Sequence, residues 1–371
     1  MSGTQAPVPP TLERQLARKT LVETLRVKRG ENVTIETWPH TLSYATAFVY
    51  EARRIGAHPL LLLEDEPTYW KSVEDLPAPA LGNVGAHEWA LLSKTNAYVF
   101  FQGPSDRPRY RALPAKKLEA LTAYNLEWYR RAKKARIRAA RMFLSMASDA
   151  QARNFGVDAA AWRKELVEAS LVDTRTMVRE GRRIAAAFQQ GREVTIDHTN
   201  GTHLVLRLKG RSPAVDDGVV GPEDVAAGRN MTPIPSGVVA VAVDETFAEG
   251  VVRANRPSYL RGKAVEGGTW NFKKGRLVGF QYDSGGEEFS EPYGKAPSGR
   301  DRPATLSVGL NPRLHHAPKM EDQERGTLCV AVGGNHWQGG SNRCPFLSWL
   351  AIGECDVRVD GKPLVVKGEI R

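Results

Sequence analysis

The spacing of apolar residues changes character at Gly191, and that change limits the folds open to this chain. Before it, short apolar runs alternate with helix-spaced segments. Residues 32–37 (Asn-Val-Thr-Ile-Glu-Thr) alternate and are β-branched, so they read as a strand. Residues 58–63 (His-Pro-Leu-Leu-Leu-Leu) and 97–101 (Ala-Tyr-Val-Phe-Phe) read as compact apolar strands. Residues 16–25 read as an amphipathic helix ending near Gly30, and 42–55 as a helix capped by Gly56. Strand–helix–strand order implies parallel pairing through right-handed crossovers. Residues 16–150 are therefore expected to form an α/β domain with a parallel or mixed sheet. A polar, proline-rich tail over 1–15 is expected to be disordered.

A helical stretch follows, with helix-spaced apolar residues over 158–169 and 174–189. After Gly191 short strands take over, at 193–197, 203–208, 238–243, 276–280, 305–308, 328–332 and 356–359, separated by glycine and proline turns. Residues 151–371 are thus expected to form a β-rich α+β domain, and any pocket is expected there.

Composition excludes several classes. The 371 residues are 41% hydrophobic and 25% charged, ordinary for a globular protein with a real core. The longest apolar runs, such as 60–63, are far too short to span a bilayer, so no membrane partner is expected. The first ten residues lack the basic-then-apolar pattern of a signal peptide, which makes the cytoplasm the expected location. Cys329, Cys344 and Cys355 are odd in number and lack CxxC spacing, so they read as reduced, buried thiols rather than a disulfide framework or zinc ribbon. The formal charge of +10 is concentrated between Arg107 and Arg141, with Tyr124, Trp128 and Tyr129 interleaved. Such a mixture could meet nucleic acid. No nucleic-acid motif accompanies it, so a solvated helix face with inward aromatics is the reading adopted.

Several segments, in order, carry a resemblance. They are Val27-Lys-Arg-Gly-Glu-Asn-Val-Thr-Ile35, Ala52-Arg-Arg-Ile-Gly-Ala-His-Pro59, Asn200-Gly-Thr-His-Leu204, Asp216-Asp-Gly218, Ile234-Pro-Ser-Gly-Val-Val239, Val308-Gly-Leu-Asn-Pro312, Gly326-Thr-Leu-Cys-Val-Ala-Val-Gly333 and Val359-Asp-Gly361. Together they resemble the aminopeptidase T-like metallopeptidases (the AmpS group). The architecture is also similar to the iron-dependent dihydroxypyridine dioxygenases. The resemblance implies a homodimer and a two-metal centre that activates water and polarises a scissile carbonyl. Transferred one by one, the family's ligand positions fall on Val238, Thr305, Cys329, His336, Leu347 and Trp349. Valine, leucine and tryptophan cannot ligate a metal, so the two-metal centre is not expected and the cofactor is left unknown.

Cys329 and His336 can ligate a metal or form a thiol–imidazole pair, and they are the candidate catalytic residues. His203, His315, His316, Glu321 and Asp322 are possible helpers. Ser236, Val238, Thr305, Trp337, Leu347 and Trp349 are the candidate pocket residues. Gly333, Gly334, Gly339 and Gly340 bracket His336 and could admit a ligand close to the backbone, or simply form tight turns. The resulting expectation is an aminopeptidase-like hydrolase relative with a rewritten site, acting on a small amide, peptide or cyclic compound. A non-catalytic ligand- or partner-binding relative and an iron-dependent ring-cleaving enzyme stay open beside it.

Overall fold

A computed structural model describes residues 11–83, 85–315 and 317–371. The chain divides into two compact units, Met1–Gln151 with Gly218–Ile234, and Ala152–Asp217 with Pro235–Arg371.

The first unit is built on a five-stranded, wholly parallel sheet in the order His58–Leu63, Asn32–Thr37, Ala97–Phe101, Arg138–Met142, Met231–Ile234. Three of these strands are those read from the sequence. Helices cover both faces. Phe48 of the helix Leu42–Ile55 meets Phe101 edge to face at 5.6 Å. On the opposite face Trp128 of the helix Ala115–Lys134 packs on Tyr98 at 5.0 Å. Gly56 closes the first of these helices with φ of 81°, the left-handed cap that glycine adopts without penalty. The basic run behaves as a helix face. Trp128 turns inward while Arg130 and Arg131 pair with Glu127 at 2.7 and 2.6 Å.

Two details correct the sequence reading. The first helix starts at Leu12, capped by the Thr11 hydroxyl, so residues 12–15 are helical rather than tail. The remainder of the expected tail, residues 1–10, lies outside the described residues. The strands Arg138–Met142 and Met231–Ile234 were not anticipated. Charged arginines and Pro233 depress the β signal of these segments, whose central alanines, Ala139 and Ala140, are fully buried.

The second unit opens with the helices Ala159–Ser170 and Thr174–Gln190, each started by an aspartate (Asp158, Asp173) that accepts from a first-turn N–H. Two antiparallel sheets follow. One has eight strands, with Glu193–His198 and Thr202–Arg207 at its centre. The other has five, in the order Leu347–Ile352, Leu328–Gly333, Pro303–Gly309, Val238–Ala242, Ala214–Asp216. A hairpin, Ser258–Leu260 with Lys263–Val265, stands apart from both. The sheets share one apolar core. Ile196, Leu204 and Trp270 from the larger sheet meet Val239, Leu306, Val330 and Leu350 from the smaller. Among the described residues no helix is long and apolar enough to cross a membrane.

Candidate functional site

The five-stranded sheet gives its core face to Leu306, Val308, Val330, Val332 and Leu350. Side chains alternate along a strand, and directly paired residues share a face. Cys329 stands opposite Ser307 on one side and Ala351 on the other. Ser307 also stands opposite Ala240. Two residues further along, Ala331 is opposite Trp349, and Thr305 is opposite Ala242. Leu347 pairs with Gly333, and Val238 with Gly309. Val238, Thr305, Cys329, Leu347 and Trp349 therefore all occupy the second face, as the sequence reading requires.

They do not form one pocket. Val238 lies opposite Gly309 and Thr305 opposite Ala242, so four residues of extended chain separate their rows, about 13 Å at ~3.3 Å per residue. Leu347 sits at the opposite corner of the sheet from Val238, three strands away. The expectation that these positions converge is corrected here: the register spreads them along a diagonal.

Cys329 and His336 do not pair either. Ser307 and not His336 contacts the Cys329 thiol; Cys329 is near the start of the strand Leu328–Gly333, about 13 Å of extended chain from Gly333, and the turn that follows sends the Gln338 amide back to the Ala240 carbonyl at 3.1 Å. Burial, with Asp322 and Glu321 nearby, holds the Cys329 thiol well above its usual value despite contact with Ser307. A neutral, buried thiol is a poor nucleophile and a poor ligand. His336 is exposed in the short turn His336–Gln338, and Trp337 is 59% exposed. Neither lines the pocket at Leu347 and Trp349 described below.

The glycines around His336 have a structural cause. A Cβ on Gly333 would stand 2.0 Å from the Phe346 carbonyl oxygen, and one on Gly334 2.0 Å from that of Cys344. At these two glycines the close approach is to the chain's own backbone. Asn335, fully buried, organises this loop. Its amide donates to the Ala304 carbonyl at 3.1 Å and its oxygen accepts from the Asn342 N–H at 3.0 Å.

Other helpers disperse. His203 sits on the eight-stranded sheet, 2.7 Å from Asp197. His315 is exposed, and its backbone N–H donates to Glu165. His316 lies outside the described residues. Ser236 is buried in the turn before Val238, where its carbonyl accepts from Asn311 at 2.8 Å. Among the described residues no three of His, Cys, Asp or Glu are placed to hold a metal ion. With valine, leucine and tryptophan at transferred ligand positions, this donor set does not fit a two-metal centre, and no chemical step is routed through one.

A pocket of about 530 Å³ does exist, at the outer edge of the same sheet, and it takes in Leu347 and Trp349. The Gly334 N–H donates to the Phe346 carbonyl at 2.8 Å. Phe346, Ser348 and Leu350 therefore direct their backbone groups to the neighbouring strand, and Leu347 and Trp349 direct theirs outward. The next outward residue, Ala351, is bridged to Arg256. Beyond that bridge the chain continues into the hairpin Ser258–Leu260, whose Leu260 lines the pocket together with Leu347 and Trp349. Its walls include Leu260 and Arg261 of the hairpin and Pro292 of the helix Glu287–Lys295. Ser348, 3% exposed, also lines it, and its hydroxyl has no hydrogen-bond partner. The hairpin's own edge is already occupied: the Tyr259 N–H donates to Glu321 at 2.7 Å, and Lys319 donates to the Tyr259 carbonyl. Glu321 is 5% exposed, and burial pushes its carboxyl up to about 7 against the pull of Lys319. Sequence reasoning named Glu321 only as a spare ligand and missed Ser348, which carries no motif.

The profile of the thermophilic metalloprotease family M29 matches residues 11–292. The chain belongs to the M29 family. The match ends before Pro303, so the strands bearing Thr305, Cys329, Leu347 and Trp349 lie beyond it. Two solved structures share the fold over nearly the whole chain. Wild-type AmpT from Thermus thermophilus superposes with a TM-score of 0.73 at 19% identity, covering 97% of this chain and 98% of that one. The 2,5-dihydroxypyridine dioxygenase from Pseudomonas putida KT2440 superposes with a TM-score of 0.64 at 14% identity, covering 98% of each chain. No curated protein matches the chain. This protein is thus an aminopeptidase-like M29 relative whose described residues do not assemble the family's metal-ligand set.

Proposed function

We propose that this M29 relative binds a small amide, peptide or cyclic compound in the pocket along the open edge at Leu347 and Trp349. The supporting observation is the Ser348 hydroxyl, buried and unpaired on the wall of a 530 Å³ pocket. A buried hydroxyl without a partner costs roughly 1–3 kcal/mol. The oxygen lies just behind the wall, so a ligand whose polar group draws the Ser348 side chain toward the pocket recovers that cost on binding. Beside it lie outward amide and carbonyl groups and the apolar surfaces of Trp349, Phe346 and Leu260, the mixture expected of a small-molecule site. The ligand class matches groups that exchange hydrogen bonds with a strand edge. Hydrolysis through a Cys329–His336 pair is not part of this reading, because the two side chains do not meet. The cytoplasmic location expected from the sequence remains part of the proposal.

Leucine amide, the dipeptide leucyl-glycine and its cyclic form are suitable probes for calorimetric titration. At least one should bind, and Trp349→Ala should weaken it tenfold or more. Ser348→Ala should raise the melting temperature of the free protein, since an unpaired hydroxyl is removed, while weakening the probe. Failure of all three probes to bind, or binding unchanged in both variants, would sink the proposal.

A further inference from the structure

A second cavity, of about 510 Å³, lies wholly within the first unit, at the amino ends of the strands Asn32–Thr37, Ala97–Phe101 and Arg138–Met142. The charge on its lining is one-sided. Arg26, Lys28, Arg136 and Arg138 are set against one acid, Glu31. That acid is already engaged. One Glu31 oxygen accepts from Arg138 at 2.7 Å, and the other accepts from the Lys28 backbone N–H at 2.8 Å. Arg138 also donates to the Leu25 and Arg26 carbonyls at 2.6 and 2.8 Å, so it serves to hold this loop in shape. Among the described residues the side chains of Arg26, Lys28 and Arg136 make no hydrogen bond or ion pair.

Two of these cations stand where glycine is ordinarily found. Arg26 and Arg136 have φ of 49° and 57°. That left-handed conformation costs an L side chain and leaves glycine unpenalised. Both arginines nevertheless bring a side chain to the same cavity. Much of the remaining wall is apolar: Val220 is 2% exposed, and Pro222 and Val225 continue its surface. Asn96, whose oxygen accepts from the Asn32 N–H at 2.8 Å, adds an amide that can donate.

We propose that this cavity binds a small phosphorylated molecule with an apolar body, of nucleotide size. Three cations without an acid partner call for a ligand that carries two or three negative charges. A guanidinium fork meets phosphoryl oxygens in pairs, which favours phosphate among such anions. The apolar wall and the volume suit an attached ring or chain. A single strand of nucleic acid is held instead by aromatic side chains on which its bases stack. Among the described residues no aromatic side chain lines this cavity. The inference is independent of the pocket at Leu347 and its ligand.

Calorimetric titration of the full chain with ADP, pyrophosphate, citrate and a short single-stranded RNA tests it. ADP should bind most tightly, pyrophosphate more weakly for want of the ring, and citrate and RNA more weakly still. Arg26→Gly and Arg136→Gly should each weaken ADP by about tenfold, the scale of one lost hydrogen bond to a charged group. Glycine suits the left-handed backbone at both positions, so both variants should fold with the circular dichroism spectrum of the parent. Lys28→Gln, at an exposed side chain, should weaken ADP in the same way. Failure of both ADP and pyrophosphate to bind, an ADP affinity unchanged in both glycine variants, or tighter binding of citrate or RNA than of ADP would overturn the proposal.

Discussion

Trp349 stands directly opposite Ala331, one row along the sheet face from Cys329. Its backbone groups point away from that neighbour, onto the open edge. One residue thus touches both places where function was sought. Toward the sheet interior it stands one row from a buried, neutral thiol and packs against the apolar core. Toward the edge it helps wall a pocket with an unpaired hydroxyl.

The thiols should be inert in the folded protein. Cys329, Cys344 and Cys355 are all buried, and burial raises Cys329 and lifts Cys355 to about 12. A disulfide-exchange reagent at pH 8 should label none of them within minutes and all of them after denaturation. A single fast-reacting native thiol would contradict the assignment of Cys329 as a packing residue.

Asn335 should matter more than its exposed neighbour. Asn335→Ala leaves the Asn342 N–H without its acceptor and takes one of two donors from the Ala304 carbonyl, which keeps the Val243 N–H, a loss of roughly 1–3 kcal/mol. His336→Ala should stay within about 0.5 kcal/mol of the parent, as surface substitutions do. Denaturant unfolding of both variants checks this. Equal losses, or a larger loss for His336, would show that the loop is held differently.

Much of the fold was legible because it rests on local pattern. Residues 32–37, 58–63 and 97–101 announce themselves by apolar and β-branched runs, and Gly56 marks a helix end. Arg138–Met142 hides because its burial comes from neighbouring strands rather than from its own composition. The site was less legible for the same reason. Position along the chain fixed which face Val238, Cys329 and Trp349 share, but only the register shows that Val238 and Leu347 lie at opposite corners. Ser348 is an ordinary serine until its surroundings bury it, and the bridge from Arg256 to Ala351, on the pocket's edge strand, joins segments far apart in sequence.

Stability should fall between mildly acidic and neutral pH. Burial raises Glu321 from 4.5 to about 7, so the folded protein holds a proton that the unfolded chain has released. The contribution is fully present below the unfolded value and is lost as pH rises through the folded one, on the order of 3 kcal/mol at most. Glu36, raised to about 7 chiefly by burial, acts in the same direction. Glu245 works in another window. Arg211 and hydrogen bonds hold it at about 2 despite partial burial, so its stabilisation disappears only in strong acid. Urea unfolding should give a lower midpoint at pH 8 than at pH 5, and Glu321→Gln should flatten the difference. A midpoint that rises across this interval in the parent protein would refute the assignment.

The most direct measurement is the rate at which purified protein hydrolyses leucine p-nitroanilide with zinc, cobalt or manganese added in turn. The positions that would hold a two-metal centre carry Val238, Leu347 and Trp349, and among the described residues no three remaining donors converge. The account predicts turnover no faster than a no-enzyme control with every metal. Robust, chelator-sensitive hydrolysis would contradict it, by showing that the chain assembles a metal centre from residues this geometry keeps apart.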